Sequence, residues 1–226
     1  MRSHSRARLG AGALVVAAVL FVLYPAVRPW EDESTVDGAM RAMSSGAWVA
    51  SHLFAMIGFI LIPLGLLALW RAVAQTRAER LGLAALIVTW VGAGLTLPYY
   101  GGEAFALNAI ATRAKEGQSL DLLDLVEAFR FQPVAATTFA LGLVLLGVGA
   151  VIVAVTIWRS GVLPRLSGIP FALGMALFIP QFYAPAAVRI AHGVLVAAGL
   201  IWIAVGLWSI GSSEVAGSPT PSGAAR

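Results

Sequence analysis

The sequence predicts an all-α membrane protein: a six-transmembrane-helix bundle with both termini cytosolic and short extracytoplasmic helices. Three observations predict it. Hydrophobic residues are 59% of the chain and charged ones 12%, against roughly 45–50% and 25% in a soluble domain, and the mean hydropathy is +0.87. The apolar residues fall into runs near the roughly 20 residues that a helix needs to cross a bilayer. Arginine gathers in alternate connections between those runs. Six runs and short loops fill residues 1–210 as one transmembrane domain and leave no room for a soluble one.

The first run, 9–27, follows Arg2, Arg6 and Arg8. It is longer than the apolar stretch of a signal peptide and no small-x-small site follows it, so it reads as an uncleaved span. The segment 29–45 carries Glu31, Asp32, Glu33 and Asp37 against Arg28 and Arg41, and reads as a solvated outer loop. The second span is 46–70, with His52 near its start and Pro63 inside. The third is 81–97 and runs into Pro98-Tyr99-Tyr100-Gly101-Gly102-Glu103. Pro98 lacks the amide hydrogen and the glycine pair weakens helix further, so a kink or break is expected within 98–102. A new helix over 104–116 would follow, with Glu103 favoured at its start by the exposed N–H groups.

Residues 120–131 alternate with helical period: 122, 123, 125, 126 and 129 are apolar, and Asp121 and Asp124 lie opposite. This predicts an amphipathic helix on the outer membrane surface or over the bundle. Spans four, five and six are expected at 134–158, 166–183 and 186–210. The Ser/Gly/Pro/Ala-rich segment 211–226 reads as a disordered cytosolic tail.

With the N-terminus inside, inner segments hold nine arginines against two acids, Glu79 and Glu214, and outer segments hold six basic residues against nine acids. Lys/Arg excess marks the cytoplasmic side. The odd spans also begin alike (Arg8-Leu9-Gly10, Arg80-Leu81-Gly82, Arg165-Leu166-Ser167), as three repeated hairpins would. Arginine and aromatic residues at interfaces are general anchors, however, and account for the likeness without repetition. Near-exclusive use of arginine over lysine points to a bacterial plasma membrane.

Several functions are excluded or left without support. The chain has no cysteine, so there are no disulfides, thiolate nucleophiles or Cys-ligated metals. The arginines form no cluster for nucleic acid. No charged residue lies in the middle of a span, against a proton pump or strongly ion-coupled carrier. No hydrolase, nucleotide-binding or metalloprotease motif is present, so no catalytic residue and no metal ligand set is assigned and an enzyme is not the favoured reading.

The unusual polar residues gather in the outer half. His52 lies about 9 Å inward from Gly46 by helical rise. Arg189 and His192 share a face one turn into span six. Gln181 ends span five, and Tyr99, Tyr100 and Glu103 lie within one turn. Glu103, Arg189, His192, His52, Tyr99, Tyr100 and Gln181 are therefore the expected lining of an outward-facing pocket, with Glu103 pairing Arg189. The pocket would bind or pass a small neutral or amphipathic molecule, with no cofactor. The alternatives are a non-catalytic membrane subunit that docks a partner protein or another copy, and a b-type haem carrier using His52 and His192. Helical phase weighs against haem: His192 lies on the Gly199/Gly206 stripe, but His52 is rotated about 120° from the Gly58/Gly65 stripe.

Overall fold

The structure, a computed structural model, describes residues 2–216. Among these residues the α-helices in chain order are α1 (Arg2–Val27), α2 (Val36–Met43), α3 (Gly46–Ala72), α4 (Glu79–Gly101), α5 (Leu107–Lys115), α6 (Leu122–Arg130), α7 (Pro133–Ser160), α8 (Ile169–Ala176) and α9 (Ala186–Ala216). No strand occurs among the described residues. Among the described residues, five helices are long and apolar enough to cross a membrane: Ser5–Val27, Gly46–Ala72, Glu79–Lys115, Pro133–Ser160 and Ala186–Ile210.

The helices form a ring in chain order. α1 packs on α3, α3 on α4, α4 on α7, α7 on α8, α8 on α9, and α9 closes back on α1. Arg8 lies over the Trp208 ring at 5.3 Å, so α1 begins at the end of the ring where α9 finishes. Small residues set the close crossings. A Cβ on Gly92 of α4 would come within 2.9 Å of the Gly142 carbonyl of α7. The two glycine stripes of α3 and α9 serve different neighbours: Gly58 and Gly65 meet Phe21 and Leu14 of α1, while Gly199 and Gly206 meet Phe171 and Leu163.

The expected fifth span, 166–183, is not one long helix. Pro170 fits the first turn of α8, but Pro180 cannot bond to Ala176 and its ring clashes with that carbonyl. The helix therefore stops at Ala176, and a 3-10 turn follows at Pro180–Tyr183. The whole segment still runs along α9, from Leu163 beside Gly206 to Gln181 beside Arg189.

Of the kink or break expected within Pro98–Gly102, the break does not occur. Helix continues from Glu79 to Lys115; Pro98 lies inside α4, and the irregularity is a π-helical segment, Gly102–Ala106, that begins at the last residue of that window. Glu103 thus sits inside a continuous helix and starts none. At 37 residues that helix is about 55 Å long, well beyond the roughly 30 Å hydrocarbon core. Its far end, α5, carries a cap with α2 and α6. Met43, Leu107, Leu122 and Val126 bury together there with Trp48, and Asn108 Nδ2 donates to the Met43 carbonyl at 2.7 Å. The amphipathic helix thus packs over the bundle as α6. At the other end, α9 continues as helix to Ala216, into the stretch expected as tail; residues 217–226 of that tail lie outside the described residues.

Candidate functional site

The site lies where the cap meets the ring. Ser45 caps α3 by accepting the Trp48 amide at 3.1 Å, which fixes the first turn and sets Trp48 inward, fully buried. The Trp48 indole N–H donates to the Glu103 carbonyl at 2.6 Å. That carbonyl lies in the π segment, where the ladder is shifted and backbone groups become available to other partners. One turn on, His52 Nδ1 bonds the Trp48 carbonyl at 2.7 Å. A carbonyl only accepts, so Nδ1 carries a proton.

An ion chain links three of these elements. Arg130, the last residue of α6, grips Glu103 with two bonds, Nε to Oε1 at 2.8 Å and Nη2 to Oε2 at 2.9 Å. The same Nη2 donates to Glu33 Oε2 at 2.9 Å, and Arg28 donates to Glu33 Oε1 at 2.6 Å. Paired geometry of this kind is the strong form of a charged hydrogen bond. Burial works against the charge on Arg130, but the bonds and attraction of Glu103, and then of Glu33, hold its pKa above the ordinary guanidinium range. Burial likewise pushes the Glu33 carboxyl up, and the Arg28 and Arg130 guanidiniums outweigh that and hold it below its ordinary value.

Two features seat α6 so that Arg130 reaches Glu103. Gly102 leaves room for the Phe129 ring, which a Cβ there would strike. The Tyr99 hydroxyl donates to the Arg130 carbonyl at 3.2 Å, and its ring stacks on Phe139 of α7 with centroids 4.2 Å apart.

Arg189 occupies the opposite side. Its Nε donates to Gln181 Oε1 at 3.0 Å and its Nη2 to the Tyr24 hydroxyl at 3.5 Å. Its guanidinium lies 4.9 Å from the Trp30 ring centroid and 5.4 Å from that of Phe182. Trp30 also covers Arg28, at 5.1 Å, and is held by its own N–H bond to the Pro25 carbonyl. The Tyr100 hydroxyl donates to that of Tyr24 at 3.3 Å.

These groups enclose a cavity of about 560 Å³. Glu103, Glu33, Arg28 and Arg130 make its charged wall; Tyr99, Phe131, Phe139 and Phe182 make an aromatic one. Phe131 and Tyr183 stand exposed at the rim. Behind the lining residues Tyr100 and Phe182, Phe21, Phe59 and Phe178 meet edge-on or tilted with centroids 5.1 to 6.3 Å apart in a buried cluster.

Of the residues expected from sequence, Glu103, Arg189, His52, Tyr99 and Tyr100 line this one cavity. Gln181 stands behind Arg189 as its hydrogen-bond acceptor. His192 faces elsewhere, its Nε2 on the Gly174 carbonyl at 2.7 Å, so the two histidines do not share the space. The expected Glu103–Arg189 pair is replaced: Glu103 is taken by Arg130. Trp30, Glu33, Arg28 and Arg130 belong to the site but were not expected there. The loop 29–45 is not simply solvated; it folds Trp30 and Glu33 inward and forms α2 behind Thr35, whose side chain accepts the Gly38 amide. The one advance signal was the aromatic and acid set Trp30, Glu31 and Glu33 directly after a span end.

Comparison with protein-family models, with curated proteins and with solved structures finds no match.

Proposed function

We propose that this protein is a multi-pass bacterial plasma-membrane protein that binds a small amphipathic molecule in a cavity open to the extracytoplasmic side. The observation that carries the reading is the cavity itself. Its 560 Å³ falls within the roughly 300–1,000 Å³ typical of small-molecule sites. It joins a charged wall to an aromatic one, as a ligand with a polar head and an apolar body requires. The buried cluster of Phe21, Phe59 and Phe178 behind Tyr100 and Phe182 supports binding over passage, because a route past it would need those packed rings to part.

The orientation rests on charge. In this proposal the chain crosses six times, the fifth as the interrupted segment 161–185, with both termini cytosolic and the cap outside. Cysteines placed at Glu31 and Gln118 would react with an impermeant thiol reagent in intact cells and one at Arg77 would not. The chain has no cysteine of its own to confuse the result. Reversed labelling would put the cavity on the cytosolic face.

Binding is tested on the purified full chain with compounds that vary in head group and apolar bulk. A true ligand raises the melting temperature and slows modification of a Tyr183→Cys reporter at the rim, but not of a Gln118→Cys control. If no compound protects position 183, the binding reading is wrong.

A further inference from the structure

The cavity lining holds three guanidiniums, Arg28, Arg130 and Arg189, and three carboxylates, Glu31, Glu33 and Glu103, but they do not pair one to one. Arg28 and Arg130 are matched by Glu33 and Glu103. Glu31, on the exposed edge of the lining, is paired with Arg41 at 3.0 Å. Arg189 is left with neutral partners only: among the described residues it has no carboxylate within ion-pair distance, and it is 8% exposed. A buried charge at membrane depth is costly unless it is paired. Gln181 and Tyr24 solvate it in part and supply no negative charge.

The hydrogen-bond inventory near Arg189 points the same way. Arg189 is a donor only, so Gln181 must turn its oxygen toward it. The Gln181 Nε2 is then a buried donor with no acceptor. The Tyr24 oxygen accepts from both Tyr100 and Arg189, which leaves its own O–H to donate. On this side of the lining Arg189 and the Tyr24 hydroxyl offer hydrogens, with Gln181 behind them, and none of the three offers a negative charge. Beside them, Phe182, Phe139 and Tyr99 provide apolar faces, and the cavity mouth lies between exposed Phe131 and Tyr183.

From this we infer that the cavity takes an anionic amphiphile, whose carboxylate or phosphate oxygens sit on Arg189 and the Tyr24 hydroxyl while its apolar body lies along the aromatic wall. The inference rests on the binding role proposed above and adds the sign of the ligand's charge. Such a head group comes from two sources, a membrane lipid or an organic acid from the medium.

Three probes with one apolar body separate charge from shape: 3-phenylpropanoate, 3-phenylpropan-1-ol and 3-phenylpropan-1-amine. They are titrated calorimetrically into the full chain in phosphatidylcholine nanodiscs, with Tyr183→Cys protection reporting location. The expected order is acid over alcohol over amine. Arg189→Gln lowers the acid's affinity by about tenfold or more, the scale of a charged hydrogen bond, and leaves the alcohol unchanged. Arg189→Lys restores part of the loss. Tyr24→Phe, which keeps the ring, lowers the acid's affinity independently should Arg189→Gln fail to fold. Replacing part of the phosphatidylcholine with phosphatidylglycerol identifies the source: competition with the acid indicates a lipid ligand, and no effect a water-borne one. If all three probes protect position 183 equally, the cavity is a binding site and the anion inference is overturned. If neither the acid nor phosphatidylglycerol binds there, the inference fails as well. Failure of every probe and every screened compound to protect position 183 removes the binding reading itself.

Discussion

Glu103→Gln is the most informative single change because it removes one charge and almost no volume. Glu103 and Arg130 share two bonds, and their side chains are 10% and 24% exposed. Taking one partner from a fully buried pair costs about 3–5 kcal/mol, mostly for the charge left behind. Here the cost is smaller for three reasons. Glutamine keeps one oxygen for Arg130, Arg130 keeps Glu33 at 2.9 Å, and its head is partly wet. About 1–2 kcal/mol is the expected loss, felt where Arg130 anchors α6 to the ring. Leu122 and Val126 still hold α6 to the cap core, so the change is a local loosening and not global unfolding. Amide hydrogen exchange reads it directly: α6 amides should exchange about five- to thirtyfold faster, while the middle of α7 is unchanged. If Glu103 served as a helix start, the loss would appear in α5 instead. Faster exchange over 107–115 with α6 unaltered would refute the argument, and so would no change in either.

Other consequences follow from particular contacts. Gly102→Ala drives a methyl into the Phe129 ring, whereas Gly101 has open space beside its Cβ position; the first should cost about 1–3 kcal/mol and loosen α6, and Gly101→Ala should be neutral or mildly stabilising, with equal effects counting against the seat described for α6. The folded-state pKa of Glu33 is depressed from its ordinary value of 4.5. Its contribution is therefore complete above that value and is lost as pH falls through the lower folded pKa. Exchange protection of the 29–35 segment should be flat from pH 8 to 5 and fall below it, and a midpoint on the neutral side of 4.5 would show that other groups control this segment. At the α4–α7 crossing, Gly92→Val should destabilise the fold or scramble its assembly, since its Cβ faces the Gly142 carbonyl, while Gly94→Val meets nothing within 4 Å and should be tolerated; thermal unfolding of the two side by side makes the comparison.

The helical class and four of the long helices were legible because a bilayer demands unbroken apolar runs. Expected 46–70 and 134–158 became Gly46–Ala72 and Pro133–Ser160. Proline was harder to read, since its effect depends on what surrounds it. Pro98 costs one bond to the Gly94 carbonyl and its helix continues. Tyr99 stacked on Phe139 and Tyr100 packed on Phe59 hold both sides of the turn after it. Pro180 ends α8, in a segment already shortened by Pro164, Gly168 and Pro170. Neighbouring side chains can support a prolyl turn in a membrane helix, and those neighbours come from other helices, beyond the reach of a local pattern.

The partner of Glu103 was misread for a related reason. Counting residues from the span ends gives depth, and it brought Glu103, Arg189, His52, Tyr99 and Tyr100 to one level, where the structure has them lining one space. Depth says nothing of position around the ring. α4 and α9 stand three places apart in the order α1, α3, α4, α7, α8, α9, so Glu103 and Arg189 approach the cavity from opposite walls. The carboxylate went to the nearer cation, and that cation sits on a surface helix whose docking depends on Gly102 being small enough to admit Phe129. One of the two glycines that suggested a broken helix therefore serves a different end: Gly102 admits α6, α6 delivers Arg130, and Arg130 takes the Glu103 charge. That leaves Arg189 facing the cavity without a counter-charge, and the asymmetry arises from packing, not from the number of charges in the sequence.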